Sequence, residues 1–335
     1  MNKLAVILPT YNAEHFLIEA IDAILNQSFK EFDLYIIDDC STDNTEYVVK
    51  SIVDTRIKYI KNSKNLGIAA TLNKALKLVL NKYEYIARMD ADDWCFSDRF
   101  NKQISFLDAN KSIVLCGTQG YWLTDFSKIN SSWRYPTDHL DIKYHLLFAA
   151  CFGHSSVMFR STFLKNFTPW YDEDIRTCED WDFWTRIIKK GEVANLPYFL
   201  MKYRIFDGSN HRSEENKQIH LKERSKVIAN HWKSFNIECD ENFIFDVYFS
   251  KKKKSKVKLE SEMLKLIDMS NRLYDCALDE LNQDQINKLR YRLLRNLKRN
   301  WGMSNISKFS IDIWSLIIRH IRFSSVFYTF KTIMR

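Results

Sequence analysis

Two alternating periods run through the first part of the chain. Short apolar runs of strand type fall at 4–8, 33–38, 56–60 and 84–89, and helical patterns separate them at about 14–26, 43–53 and 68–80. In the first helical pattern Phe16, Ala20, Ile21, Ile24 and Leu25 recur on one face, the stripe that a helix buries against a sheet. Strand, helix, strand at this rhythm predicts an α/β fold with a mostly parallel central sheet and right-handed crossovers. A helix over 97–109 and a fifth strand over 113–117 continue it. The pattern is less regular between 118 and 177, where Ser156-Val157-Met158-Phe159 is the clearest strand. A further helix begins near Glu179, and from about 215 the periodicity is helical only. The expected division is residues 1–214 as the sheet-bearing domain and 215–335 as an all-helical, basic C-terminal region.

Composition narrows the class. A chain of 335 residues supports one large or two modest domains. Seven glycines and four prolines are too few for linkers or disorder. Met1-Asn2-Lys3 leads directly into the first strand, so no secretory leader is expected. No charge-free apolar stretch reaches eighteen residues, which argues against a spanning helix. The seven cysteines, among them Cys40, form no CxxC pair and read as reduced thiols of a cytoplasmic protein.

The net charge of +8 is concentrated late in the chain, at Lys251–Lys254 and then Arg290, Arg292, Arg295, Lys298 and Arg299. Toward the end Trp314, Ile317, Ile318, Ile321, Phe323, Val326, Phe327 and Phe330 recur at roughly helical spacing, with Arg319, His320, Arg322 and Lys331 between them. That pattern fits either a helix packed on the protein or one lying on an anionic membrane surface. The basic region could also meet nucleic acid, but no nucleic-acid motif accompanies it and that partner is not expected.

The candidate chemistry lies at strand ends. Asp90, Asp92 and Asp93 follow the run Tyr85–Met89, three carboxylates within four residues. A solvated acidic loop would carry the same residues. Hard oxygen donors crowded at a strand's carboxyl end also suit Mg²⁺ or Mn²⁺ and a phosphate beside it. No GxGxxG or GxxxxGK[ST] is present to support a dinucleotide or P-loop reading. Instead Pro9-Thr10-Tyr11-Asn12 follows the first strand and Asp38-Asp39-Cys40-Ser41-Thr42-Asp43 the second. Thr42 or Ser41 could cap the next helix, whereas Asp39 could accept a pyrimidine N–H. Asn65-Leu66-Gly67 opens the third helical pattern, with Asn65 a candidate cap. Arg88 can pair with the acids or meet a phosphate. Glu179-Asp180-Trp181-Asp182-Phe183-Trp184 starts a helix, where acids are favoured by the dipole. Trp181 and Trp184 share a face there, and a carboxylate partly desolvated by tryptophan is a candidate general base. His154, before a strand, could face the same cleft or be structural.

Together these pieces resemble a family 2 glycosyltransferase of GT-A fold, a Rossmann-like, mostly parallel sheet flanked by helices. The resemblance rests on Val6–Asn12, Ile36–Asp43, Asn65–Gly67, Asp90–Asp93, His154–Arg160 and Glu179–Asp180, in the family's order. With Glu84–Arg88 and the basic helical C-terminus, the chain looks most like bacterial lipooligosaccharide β-1,3-N-acetylhexosaminyl- or galactosyltransferases. The resemblance implies an inverting transfer from a nucleotide sugar, often UDP-linked, to a glycan or lipid-linked acceptor, at the cytoplasmic face of the inner membrane. It places Thr10, Tyr11 and Asp39 at the nucleobase, with Pro9, Asn12, Asn65 and Arg88 also on the donor side. Asp90 and Asp92 would serve ribose and metal, Asp93 would lie near the donor sugar, and Asp180 would be the base. His154, Glu179 and Trp181 would face the acceptor. Two departures stand out: Tyr203-Arg204-Ile205-Phe206 where many relatives have Tyr-Arg-x-His, leaving His211 as the substitute metal ligand, and Cys40 where a glycine is usual. The absent Gln-x-x-Arg-Trp motif favours addition of a single sugar. A catalytically idle nucleotide-sugar-binding or scaffold protein of the same fold is the alternative, favoured by the missing histidine.

Overall fold

The computed structural model describes residues 2–124, 128–205, 214–249, 256–289 and 292. The sheet has nine strands. Four form a parallel set in the order β3-β2-β1-β4: β1 Leu4–Thr10, β2 Phe32–Asp38, β3 Ile57–Lys61 and β4 Tyr85–Arg88. The sheet then continues through β8 (Met158–Arg160), β6 (Ile113–Thr124), β9 (Glu192–Ile205) and β5 (Trp94–Cys95), with β7 (Lys128–Trp133) paired to β6. Strands β6 and β9 run with the first four, and β5, β7 and β8 run against them. The chain leaves β1 for β2 and β3 on one side, then crosses to β4 on the other. The carboxyl ends of β1 and β4 are therefore the switch point where such sheets open a ligand crevice.

Central strands covered on both faces need continuous apolar runs rather than alternation, and β1 is buried from Leu4 through Thr10. Val6, Leu8, Leu34 and Ile36 pack in one cluster with Ala20 and Ile24 of α1 (Leu17–Leu25) and with Phe100 and Ile104 of α4 (Arg99–Ala109). Helix α3 (Ile68–Val79) lies along β1 and β2 and buries Leu72, Leu76 and Val79 completely. Each such side chain contributes about 1.5–3 kcal/mol on burial. The remaining helices of this part are α2 (Thr45–Ser51), α5 (His139–His145), α6 (Ser161–Lys165) and α7 (Glu179–Ile187).

Several elements differ from the sequence reading. The fifth strand runs on to Thr124, past Gly117 and Gly120, which weaken its strand signal. Strands β5, β7 and β9 and helices α5 and α6 are additional. Pro197 interrupts the pattern of β9, because it has no N–H for a ladder. The structure absorbs it in a bulge: Asn195 faces Gly117 and Phe199 faces Gln119, so three residues of β9 lie opposite one of β6.

After β9 come α8 (Glu214–Lys233), α9 (Glu241–Tyr248) and α10 (Lys256–Leu278), and no strand occurs among the described residues there. The chain divides into two compact units, Met1–His220 and Leu221–Arg335. No helix among the described residues is long and apolar enough to cross a membrane. Lys251–Lys254, His211, Phe206 and the apolar-basic stretch 314–331 lie outside the described residues.

Candidate active site

The end of β2 builds the first wall. Asp38 is fully buried; its carboxylate accepts from the Ser41 N–H at 2.8 Å and the Tyr59 hydroxyl at 2.5 Å. Asp39, 4% exposed, accepts from Asn62 Nδ2, Leu66 N and Gly67 N, each at 2.8 Å. It thereby fixes the loop that enters α3. A carboxylate offers about four acceptor positions, so one remains for a ligand donor. Asn65 is exposed and its Oδ1 takes the Gly67 N–H at 3.2 Å, a local turn rather than the helix cap, which is Gly67 itself at φ +85°. Cys40 sits at φ +65°, left-handed backbone that explains why glycine is usual there. Asn12, also left-handed, donates its N–H to Ser41 Oγ and accepts from Thr42 N, both at 2.9 Å, tying the β1 end to the β2 end. Pro9 and Thr10 are buried within β1, while Tyr11 stands half exposed over this corner.

Beyond β4, Asp90, Asp92 and Asp93 bring carboxylate oxygens within 4.8 Å of one another. They are not equivalent. Asp90 is gripped by both terminal nitrogens of Arg88, accepts from Ser155 Oγ at 2.8 Å and gives its N–H to the same oxygen at 3.0 Å. Arg88 is 1% exposed and its terminal nitrogens are engaged by Asp90 and Ser155. Of the two readings of Arg88, pairing with the acids or meeting a phosphate, the geometry favours the first: the guanidinium is a buried brace for Asp90. Burial and then the Asp90 charge push Asp92 up to about 6, and burial with the Asp92 and Asp90 charges lifts Asp93 well above the usual carboxylate range. Asp93 accepts from Arg204 N at 3.1 Å through one oxygen, while its other oxygen is buried without a hydrogen-bond partner among the described residues. Crowded, desolvated carboxylates with an orphaned oxygen are the donor set that a hard divalent cation satisfies. The residues present therefore fit Mg²⁺ or Mn²⁺, with Asp92 and Asp93 freer to serve than Asp90.

Sequence reasoning missed Arg204 as a site residue. Its Nε reaches the Asp92 carbonyl at 3.0 Å and Nη2 reaches Glu19 at 2.6 Å, and it lies 4.8 Å from the Phe16 ring centroid. The Tyr-Arg-x-His comparison contained the signal, since the arginine sits one residue after Tyr203. Arg99 was missed too; fully buried in α4, it donates to the Arg88 carbonyl at 2.9 Å and holds the end of β4.

A second acidic pair starts α7. Asp180 accepts the Trp181 N–H at 2.6 Å, and burial pushes its carboxyl up to about 6. Burial, with the Asp180 charge added, pushes neighbouring Glu179 up to about 8. Near neutral pH the pair therefore holds one charge and one proton. His154 bridges the two centres. Its Nε2 is 3.0 Å from the Tyr171 hydroxyl and its Nδ1 is 3.8 Å from Glu179, on the turn whose next residue, Ser155, holds Asp90. Burial, with the Arg88 charge added, keeps His154 well below its ordinary value, so it is neutral. Asn73 fixes Tyr171 through both backbone groups, at 2.9 and 3.0 Å. Trp181 is a correction: it is 3% exposed and donates its indole N–H to the Leu146 carbonyl at 3.1 Å, a core side chain rather than an acceptor surface. The arrangement can hold an anion-bound cation at one end and a proton acceptor at the other.

The sequence matches the family described as Glycosyl transferase family 2 over residues 5–167. It is 32% identical over 253 residues to an uncharacterized glycosyltransferase of Methanocaldococcus jannaschii, covering 73% of this chain and 85% of that one. Over 253 residues it is 29% identical to WfaP of Escherichia coli, named a UDP-Glc:α-D-GlcNAc-diphosphoundecaprenol β-1,3-glucosyltransferase, covering 75% of this chain and 93% of that one. The chain spans 35 to 65% of the length of three other relatives. Residues 1–349 of TarS from S. aureus, solved in complex with UDP-GlcNAc, superimpose with a TM-score of 0.60 at 19% identity over 92% of this chain and 93% of that one, a likeness of fold.

Proposed function

The chain belongs to glycosyltransferase family 2, and we propose that it moves one sugar from a nucleotide sugar to an acceptor hydroxyl with inversion at the anomeric carbon. The observation that carries this reading is the pairing of two acidic centres across the His154–Ser155 turn, one suited to a cation and one to a proton. Tyr11, Asp39 and the Pro9–Asn12 corner take the nucleobase, Asp90 the ribose, and Asp93 the donor-sugar side. Asp92, with Asp93, would hold Mn²⁺ or Mg²⁺, which when bound would offset charge on the leaving diphosphate. Asp180 takes the proton from the acceptor hydroxyl as its oxygen attacks the anomeric carbon opposite the diphosphate. The bond from that carbon to the diphosphate oxygen breaks, and the electron pair leaves with the nucleotide. One base suffices for a single displacement, so the configuration inverts.

Support for a UDP-sugar donor and a lipid-linked glycan acceptor comes from the name of WfaP, which specifies UDP-Glc, and the UDP-GlcNAc complex of TarS; the donors to try are UDP-linked N-acetylglucosamine, N-acetylgalactosamine, galactose and glucose. Such an acceptor would place the enzyme on an anionic membrane face. Phe206 in place of the usual histidine favours a second reading, an idle donor-binding protein. Release of UDP from these donors in Mn²⁺ separates the two: steady release is expected, and binding without release in any acceptor's presence would sink the transferase.

A further inference from the structure

We propose that Trp122, Trp133, Tyr135 and Tyr203 form a platform on which the acceptor's pyranose ring docks beside Asp180, a site that rests on the transferase reading above. Strand register assembles it. Trp122 lies opposite Tyr203 across the β6–β9 ladder, and Trp133 lies opposite Gly120 across β6–β7. Gly120 and Trp122 share a face of β6, two residues apart. Ring centroids are 4.9 Å apart for Trp122–Trp133, 5.1 Å for Trp122–Tyr203 and 6.3 Å for Trp133–Tyr135. Gly120 makes room: a Cβ there would come within 2.1 Å of Trp133 Cζ2, so the indole rests directly on the β6 backbone. A Cβ on Gly153 would lie 3.3 Å from the same ring atom. Gly153 opens the turn carrying His154 and Ser155, so the platform abuts the turn that joins the two acidic centres.

The two tyrosines are held beside the acids of the site and stay neutral. Gln119 clamps the Tyr135 backbone, accepting its N–H at 2.6 Å and donating to its carbonyl at 3.2 Å. Beyond the effect of burial, the Asp180 charge reaches Tyr135, and the charges of Asp93, Asp90 and Asp92 reach Tyr203. Trp122, Tyr135 and Tyr203 are each partly exposed, whereas Trp133 is 7% exposed and its buried indole N–H has no partner among the described residues. Partly exposed rings with polar tips match a pyranose, whose C–H face stacks while its hydroxyls seek hydrogen-bond partners. The occupant is the acceptor sugar rather than the nucleobase because of strand order. The nucleotide corner is built on β1 and β2, and β6 and β9 lie on the far side of β4 and β8.

The test uses the full chain and N-acetylglucosamine on a short-chain lipid diphosphate. Calorimetry is expected to show roughly tenfold weaker binding of that probe to Trp122→Ala and to Tyr135→Ala, the scale of one lost aromatic contact. Trp133→Phe, which keeps a ring and drops the N–H, is expected to lose about threefold. In turnover the acceptor KM should rise while the donor KM holds. Wild-type affinity in both alanine variants, or a raised donor KM with an unchanged acceptor KM, would overturn the platform. If wild-type protein binds the probe through Trp122 yet releases no UDP from any donor, the platform stands and the transferase reading falls.

Discussion

At the scale of single residues, the site works by giving like groups unlike surroundings. Asp180 and Glu179 are neighbours, yet burial holds one near 6 and the other near 8, the separation that lets one carboxyl serve as base while the other stays protonated. Asp180→Asn should keep donor binding and lower kcat by roughly 10²-fold or more, and wild-type kcat should rise with pH through about 6 as Asp180 ionises. Near-wild-type turnover in Asp180→Asn would move the base elsewhere. Glu179 has a consequence for stability as well. Folding raises its carboxyl from 4.5 to about 8, so the native chain keeps a proton that the unfolded chain has released. The stability this gives is complete below 4.5 and is lost as pH climbs through 8. Glu179→Gln should therefore flatten the fall in Tm between about pH 5 and about pH 9; equal slopes in thermal melts would refute the buried, protonated Glu179. Cys40 stores strain of another kind. At φ +65°, Cys40→Gly should stabilise by about 0.5–1 kcal/mol and Cys40→Val should destabilise by about 1–2 kcal/mol, read from urea midpoints.

At the scale of elements, what the sequence reveals depends on whether local pattern and tertiary role agree. Strands β1, β2 and β4 are long apolar runs buried on both faces, so pattern and role coincide and the switch-point site follows from them. Strand β9 hides behind Pro197, and its bulge is a property of the pairing with β6 that no local window contains. The same holds within the site. The acidic clusters are visible as residue types, but Arg88 as a brace and Trp181 as core depend on which face is covered. Asp39 shows how far one side chain can organise an element: three donors from residues 62–67 converge on it. Asp39→Ala should leave Leu66 N unpaired and leave Gly67 N and Asn62 Nδ2 only their 3.2 Å bonds to Asn65 Oδ1 and Thr71 Oγ1, cost about 1–3 kcal/mol and speed hydrogen exchange at Leu66 ahead of the β1 and β2 amides. Unchanged protection at that amide would mean the loop is held by something else.

At the scale of the whole molecule, the two compact units carry different physics. Unit Met1–His220 holds the sheet and both acidic centres. The later unit is helical where it is described and contains most of the clustered positive charge of a +8 chain. With the proposed lipid-diphosphate acceptor, attraction to anionic lipid would confine enzyme and substrate to one surface, at about 1 kcal/mol for each basic residue near it. That attraction is screened over roughly 10 Å at 0.1 M salt, so flotation with phosphatidylglycerol vesicles should be strong at low salt and fade as salt rises. Replacing Lys251–Lys254 with serine should weaken it without changing UDP release from the donor in solution. A form ending near residue 303, which lacks the apolar-basic stretch 314–331, separates charge from insertion. If it floats as well as the full chain, charge alone holds the protein to lipid. If neither form floats at low salt, the membrane role is wrong and the basic unit has another partner.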